Sequence, residues 1–170
     1  MVQRPHEPSA TAVPKIAGAR VLILEAPYYK GIVNALADGA LAVIAEAGAT
    51  AERMAVPGAL ELPQALAALV HADRVGRSAS RRRAYDGVVV LGCVIRGETS
   101  HYDIVCNNAN HWLMRVAIDY GVPLGNAILT MENEDQAKAR AAGGKANKGG
   151  EAARACLRMI EIERQLAPGL

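Results

Sequence analysis

The amino-acid sequence predicts an α/β protein: a single domain built as a three-layer αβα sandwich around a four-stranded parallel sheet. Three observations predict it. Short apolar runs of strand length alternate with longer segments whose apolar residues recur at helical spacing. The runs are apolar almost without a break, as in strands covered on both faces. Each run ends in a cluster of glycine, proline and polar residues, the usual start of a turn or a ligand loop.

Met1 to about Lys15 is proline-rich and polar, and a flexible tail over residues 1–17 is expected, with the domain at 18–170. Val21-Leu22-Ile23-Leu24 reads as the first strand. From Lys30 to Ala47, Val33, Leu36, Leu41 and Ile44 follow helical periodicity, and Gly48 suits the helix end. Thr50 to Val56 reads as the second strand, stopped by Pro57-Gly58. Pro63 fits the first turn of a helix running to about Asp73, because a proline there sacrifices no needed donor. A polar loop, VGRSASRRRAY, leads to a third strand from Val88 to Ile95. A helix from about Ser100 to Tyr120 is stopped by Gly121, and Leu124 to Thr130 reads as the fourth strand. A short helix starts at Asn133 or Glu134 and runs through Arg140. GGKANKGG breaks the chain, and a last helix is expected from Glu151 to Leu166, with Ala152, Ala155, Cys156, Met159, Ile160 and Ile162 available for packing.

A chain of 170 residues with half of them hydrophobic can bury a full-sized core. A net charge of +2 is too near neutral to indicate a nucleic acid or an anionic membrane as partner. Arg81-Arg82-Arg83 reads as a solvated loop, because no second basic cluster or aromatic supports it. Without Phe and with Trp112 as the one tryptophan, aliphatic residues must fill the core. Cys93, Cys106 and Cys156 lack metal-ligand spacing and read as reduced, buried thiols of a cytoplasmic protein. No signal peptide, membrane span or metal site is expected.

In open parallel sheets, ligands bind outside the carboxyl ends of the strands. Those ends deliver Glu25-Ala26-Pro27-Tyr28-Tyr29, then Val56 to Glu61, then Arg96-Gly97-Glu98-Thr99-Ser100-His101, then Thr130 to Glu134. Gly97 lets a backbone approach a ligand closely. Thr99 or Ser100 can cap the following helix, whose first amides favour an anion, most naturally phosphate. An ordinary N-cap with no ligand is the competing reading. His101 could carry protons near neutral pH or be a structural histidine; His6, His71 and His111 have no comparable setting. Neither GxGxxG nor GxxxxGK[ST] is present.

Three stretches taken together carry a resemblance. They are VPGALELP from Val56, GCVIRGETSHYD from Gly92, and Leu129-Thr130 with Glu134-Asp135-Gln136-Ala137, Arg140 and Asn147-Lys148-Gly149. In this order and spacing, across about Arg20 to Leu166, the chain resembles the lumazine synthase family, whose fold is flavodoxin-like. The resemblance implies a transferase of riboflavin biosynthesis. It condenses 5-amino-6-(D-ribitylamino)uracil with 3,4-dihydroxy-2-butanone 4-phosphate, giving 6,7-dimethyl-8-ribityllumazine, phosphate and water, with no cofactor. It implies His101 as the proton-transfer residue. Gly97, Glu98, Thr99, Arg140 and Lys148 would hold phosphate. Tyr28, Ala59, Leu60, Glu61, Cys93, Val94, Ile95 and Asn126 would line the pyrimidine and ribityl site. Taken alone, Glu61 fits a helix N-terminus, Arg140 an exposed helix arginine, and Lys148 a loop lysine.

Four positions depart from the commonest family pattern. Pro27 stands in place of an arginine, Tyr28 in place of Phe or Trp, Leu60 in place of a phenylalanine, and Asn126 in place of an aromatic. A flavin- or lumazine-binding protein with little catalysis, or a purely structural shell protein, are the competing classes. The resemblance further implies a homo-oligomer with the site shared between neighbours of a pentamer, Asn126, Arg140 and Lys148 coming from the second chain. Pentamer, decamer and sixty-subunit icosahedral shell are left open, as is association with riboflavin synthase.

Overall fold

The computed structural model describes residues 12–77 and 83–167. Four strands alternate with five helices: β1 Arg20–Glu25, α1 Lys30–Glu46, β2 Thr50–Ala55, α2 Glu61–His71, β3 Gly87–Ile95, α3 His101–Tyr120, β4 Leu124–Met131, α4 Glu134–Ala141 and α5 Lys148–Leu166. All strand pairs are parallel and the sheet order is β2-β1-β3-β4. The chain therefore starts in the middle of the sheet, turns outward to β2, and crosses back to β3. That reversal opens a crevice between the carboxyl ends of β1 and β3.

The central strands are buried on both faces, as their unbroken apolar runs require. On one face, α1, α4 and α5 cover Val21, Ile23, Val89, Leu91, Ala127 and Leu129. On the other, α2 and α3 cover Leu22, Leu24, Val88, Val90 and Ile128. The register follows the pleat: odd positions of β1 face one core and even positions the other. β2 is an outer strand and largely exposed.

The last helix begins three residues before the expected Glu151, and its two glycines are the reason. A Cβ on Gly149 would stand 2.0 Å from the Leu36 carbonyl oxygen, and one on Gly150 would stand 2.1 Å from that of Lys145. Glycine here permits a close helix contact, so the glycines lie inside the helix instead of breaking the chain. Asn147 starts it. Its Oδ1 accepts from the Gly150 amide at 2.9 Å, and its Nδ2 donates to Ala35 O at 2.7 Å and Ala141 O at 2.9 Å. One buried side chain thus joins α1, α4 and α5. On α5, Ala152, Cys156 and Ile160 pack as expected, with Ala153 and Leu157 beside them; Ala155 and Met159 face outward.

Within the expected tail, Ile16 is 3 % exposed and joins the core, its amide donating to Ala47 O at 2.9 Å. Earlier tail residues up to 11, including His6, and Arg81 and Arg82 lie outside the described residues. Arg83 is bound to Glu163 at 2.9 Å and to Asp86 at 3.5 Å, tying the start of β3 to α5. All three cysteines are free and buried. No described helix is long and apolar enough to cross a membrane.

Candidate active site

Three loops leave the carboxyl edge of the sheet around this switch point. The first is Ala26–Tyr29, which follows β1. The Ala26 amide donates to Leu91 O at 2.9 Å, so the loop is held to β3 as it leaves the sheet. Tyr28 then projects outward, 77 % exposed, with its ring edge-on to Tyr29 at 5.1 Å. An aromatic face that exposed is available for a flat ring to stack on.

Behind this loop lies an ion pair the sequence reading missed. Glu25 ends β1, and its residue is 7 % exposed. Arg53 on β2 grips it from Nε at 3.1 Å and Nη2 at 2.9 Å, while the same Nη2 donates to Asn34 Oδ1 at 3.0 Å. A buried carboxylate needs such a fork. The signal was a carboxylate closing an apolar run, which obliges the fold to supply a cation.

The second loop, Val56–Leu60, turns sharply. The Glu61 amide donates to Gly58 O at 3.2 Å and the Leu62 amide to Ala59 O at 3.3 Å. A Cβ on Gly58 would lie 2.9 Å from Glu61 Oε2, so glycine leaves room for that carboxylate at the head of α2. Ala59, Leu60 and Glu61 are half-buried at the carboxyl end of the sheet.

β3 runs past β1. Their register ends at Glu25 opposite Leu91, whereas β3 continues to Ile95 beside β4. Leu91 O accepts from the β1 side, and the Arg96 amide donates to Met131 O on the β4 side. Alternation along the strand therefore aims the backbone of Cys93 and Ile95 over the end of β1, and that of Val94 toward β4. Ile95 and Cys93 can offer backbone groups to a ring edge; Val94 contributes its half-buried side chain. Burial pushes the Cys93 thiol up to about 11, with the Glu134 carboxylate adding to the effect, so it is no ready nucleophile.

The third loop leads into α3. Gly97, Glu98, Thr99, Ser100 and His101 are all exposed. A Cβ on Gly97 would meet nothing within 4 Å. Ser100 is the N-cap residue but makes no side-chain cap. Thr99 Oγ1 accepts from the His101 amide only at 3.4 Å. The head of a long helix is thus nearly uncapped at the carboxyl edge of the sheet, with His101 on its first turn.

Arg140, Lys148 and Asn126 lie elsewhere. They line a groove of about 370 Å³ along the outer edge of β4, with Thr130, Met131 and Glu151. None of its lining residues comes from the ends of β1, β2 or β3. Arg140 Nη1 donates to Gln136 O at 3.1 Å, and Lys148 Nζ pairs with Glu151 at 2.6 Å. Asn126 turns toward α3, its Nδ2 donating to Asn110 Oδ1 at 2.7 Å and its Oδ1 accepting from the Ile128 amide at 2.9 Å. His101 belongs to a helix on one face of the sheet, Arg140 and Lys148 to helices on the other. One chain keeps the two groups apart. Among the described residues, no three His, Cys, Asp or Glu side chains converge as they would around a metal.

An α/β sheet with a switch point, a weakly capped helix head and a histidine beside it is an arrangement typical of an α/β enzyme. The comparisons with known proteins narrow the class. A family model for 6,7-dimethyl-8-ribityllumazine synthase matches residues 18–164. A 6,7-dimethyl-8-ribityllumazine synthase of Rhodopseudomonas palustris is 43 % identical over 165 residues, covering 97 % of this chain and 98 % of that protein. One from Nitrobacter hamburgensis is 47 % identical over 153 residues, 89 % of this chain and 90 % of its own. One from Methylobacterium radiotolerans is 50 % identical over 151 residues, 89 % and 86 % respectively. The chain belongs to the 6,7-dimethyl-8-ribityllumazine synthase family.

Proposed function

We propose that the chain carries out its family's condensation at the carboxyl edge of the sheet, with the work divided among the residues described above. The ribitylaminouracil lies in the crevice with its ring against Tyr28, its edge on the backbone of Cys93 and Ile95, and its ribityl chain along Ala59, Leu60 and Glu61. The phosphate of the four-carbon ketone lies at the head of α3, on the amides of Gly97–Thr99 and the Thr99 hydroxyl. The exocyclic amine attacks the ketone, water is lost to give an imine, phosphate leaves, and ring closure releases a second water. His101 moves the protons; a group so placed contributes about 10²–10⁴-fold. Nothing in this sequence of steps requires a cofactor.

Arg140 and Lys148 complete the phosphate site from a second copy of the chain. The support is their separation from His101 across the sheet, together with the open groove they line at the β4 edge. A guanidinium suits the role because it grips two oxygens in one plane. The assembly is therefore a homo-oligomer in which each site spans two neighbours.

The observation that carries the reading is the exposed, weakly capped head of α3, with Thr99 and His101 on it, at the switch-point crevice. An assay with both substrates, followed by the absorbance of the lumazine product against an enzyme-free control, tests it. Turnover well above the control, abolished in Arg140→Ala, is expected. A rate equal to the control from assembled protein would overturn catalysis and leave a ligand-binding protein.

A further inference from the structure

Arg96 leaves β3 immediately before the Gly97–His101 loop and does not point its charge at the crevice. Its Nε donates to Glu132 at 3.0 Å and 3.2 Å. Its Nη1 and Nη2 donate to the two oxygens of Asp103 at 3.2 Å and 3.1 Å. Its guanidinium carbon sits 4.1 Å from the centre of the Tyr102 ring. Both carboxylates and the ring are thus taken up by one planar group. Asp103 and Tyr102 lie on the first turn of α3, just past the loop; Glu132 follows β4. We propose that Arg96 is a positioning residue, clamping the two ends of the Gly97–His101 loop to each other and to the end of β4, and so setting the geometry of the phosphate site.

This inference rests on the proposed phosphate role of the loop. The loop itself lacks internal support: its residues are exposed and its one side-chain hydrogen bond among the described residues, from the His101 amide to Thr99 Oγ1, is long. The clamp has what the loop lacks. Its far partner stands on a fixed corner, where the Glu132 amide donates to Gln136 Oε1 at 3.1 Å and the Gln136 amide to Asn133 Oδ1 at 3.0 Å. The Arg96 amide is itself bonded to Met131 O at 2.9 Å. Isolated exposed ion pairs hold little, but a bidentate fork within a network on an aromatic face is the exception. Arg96 is not a phosphate ligand, because its three nitrogens are already engaged by two carboxylates, which leave the cluster negative.

Three variants, Arg96→Ala, Arg96→Lys and Asp103→Asn, test the clamp in the assembled protein. Hydrogen exchange reads it without reference to activity. The amides of Asp103 and Ile104, which donate to Ser100 O at 3.1 Å and 3.4 Å where the clamp meets α3, should exchange about tenfold faster in Arg96→Ala, a change the size of one lost charge-assisted hydrogen bond, while the sheet amides keep their rates. Unchanged exchange at both amides would overturn the clamp whether or not the chain is a synthase. Kinetics read its consequence. KM for the phosphate-bearing ketone should rise about tenfold and kcat should fall, with KM for the pyrimidine unchanged within twofold. Equal rises in both KM values with a lowered melting temperature would show a merely structural residue. Arg96→Lys separates geometry from charge: lysine keeps the charge but not the fork, so its KM should stay raised. A wild-type KM in that variant would overturn the proposal. Asp103→Asn should speed exchange at the Ile104 amide in smaller measure.

Discussion

The two ends of the sheet carry similar side chains and use them oppositely. At the amino end the charges consume one another. Asp86 Oδ2 accepts from the Arg20 amide at 2.8 Å, Arg83 spans Asp86 and Glu163, and the Tyr85 hydroxyl donates to Glu52 at 2.7 Å. At the carboxyl end, no hydrogen bond or ion pair among the described residues takes up the side chains of Tyr28, Glu61, Glu98 or His101. The difference teaches where the chain spends its polar groups. The amino end is closed because it only has to be stable. The carboxyl end stays open where the proposed ligands would arrive, and the charges it does pair, Glu25 with Arg53 and Arg96 with Asp103 and Glu132, adjoin the loops proposed to carry the site.

Substitutions at the two ends should therefore separate activity from stability. The largest effect is expected at the open end. His101→Ala should lower kcat by about 10²–10⁴-fold with the thermal midpoint unchanged within a few degrees, as steady-state rates and calorimetry would show. A large loss of stability in that variant would break the comparison. Next comes the closed end, where Asp86→Ala strips an acceptor from the Arg20 amide and a partner from Arg83. It should cost about 1–3 kcal/mol in denaturant unfolding, with turnover per assembled protein unchanged.

A smaller effect is expected with pH. Cys156 sits at the closed end, with its thiol directed at Pro123 O at 3.5 Å, and burial pushes it up to about 12 from an ordinary value of 9.0. The folded chain then holds that proton where the unfolded chain releases it. Stability from this group is full below about pH 9 and falls as pH rises from there toward 12, which melting curves across that range would read. The smallest effect is Tyr85→Phe. Hydrogen bonds from Tyr85 and then Arg20 hold the exposed Glu52 carboxyl below its usual range. Stability from Glu52 is present above the ordinary carboxylate range and is lost as pH falls. The variant should titrate Glu52 closer to that range by NMR and leave both rate and melting temperature nearly untouched.

Most of the fold was legible because its signals are local. Short, β-branched apolar runs such as Val21–Leu24 and Val88–Ile95 read as strands buried on both faces, and the spacing of Val33, Leu36 and Ile44 reads as one side of a helix. The start of α5 was not legible, because Gly149 and Gly150 read as breakers until the Leu36 and Lys145 carbonyls are seen against them. The Gly97–His101 loop stood out, since a buried strand ending in glycine, hydroxyls and histidine invites a ligand. Its supports did not. Arg96 meets Glu132 only after a strand, a helix and another strand have been placed, and Glu25 meets Arg53 across two strands. Pairings of that range carry no periodicity.

The central claim is that two groups of residues held on opposite faces of one chain act in a single site supplied by two chains. Co-assembly of His101→Ala chains with Arg140→Ala chains tests it most directly. Each variant alone should be inactive. Mixed equally, half of the sites receive an intact His101 chain and half of those an intact Arg140 neighbour, so about one quarter of wild-type activity should return if the contact is head-to-tail. Activity that stays at the level of the separate variants, in assemblies shown to contain both chains, would contradict the account.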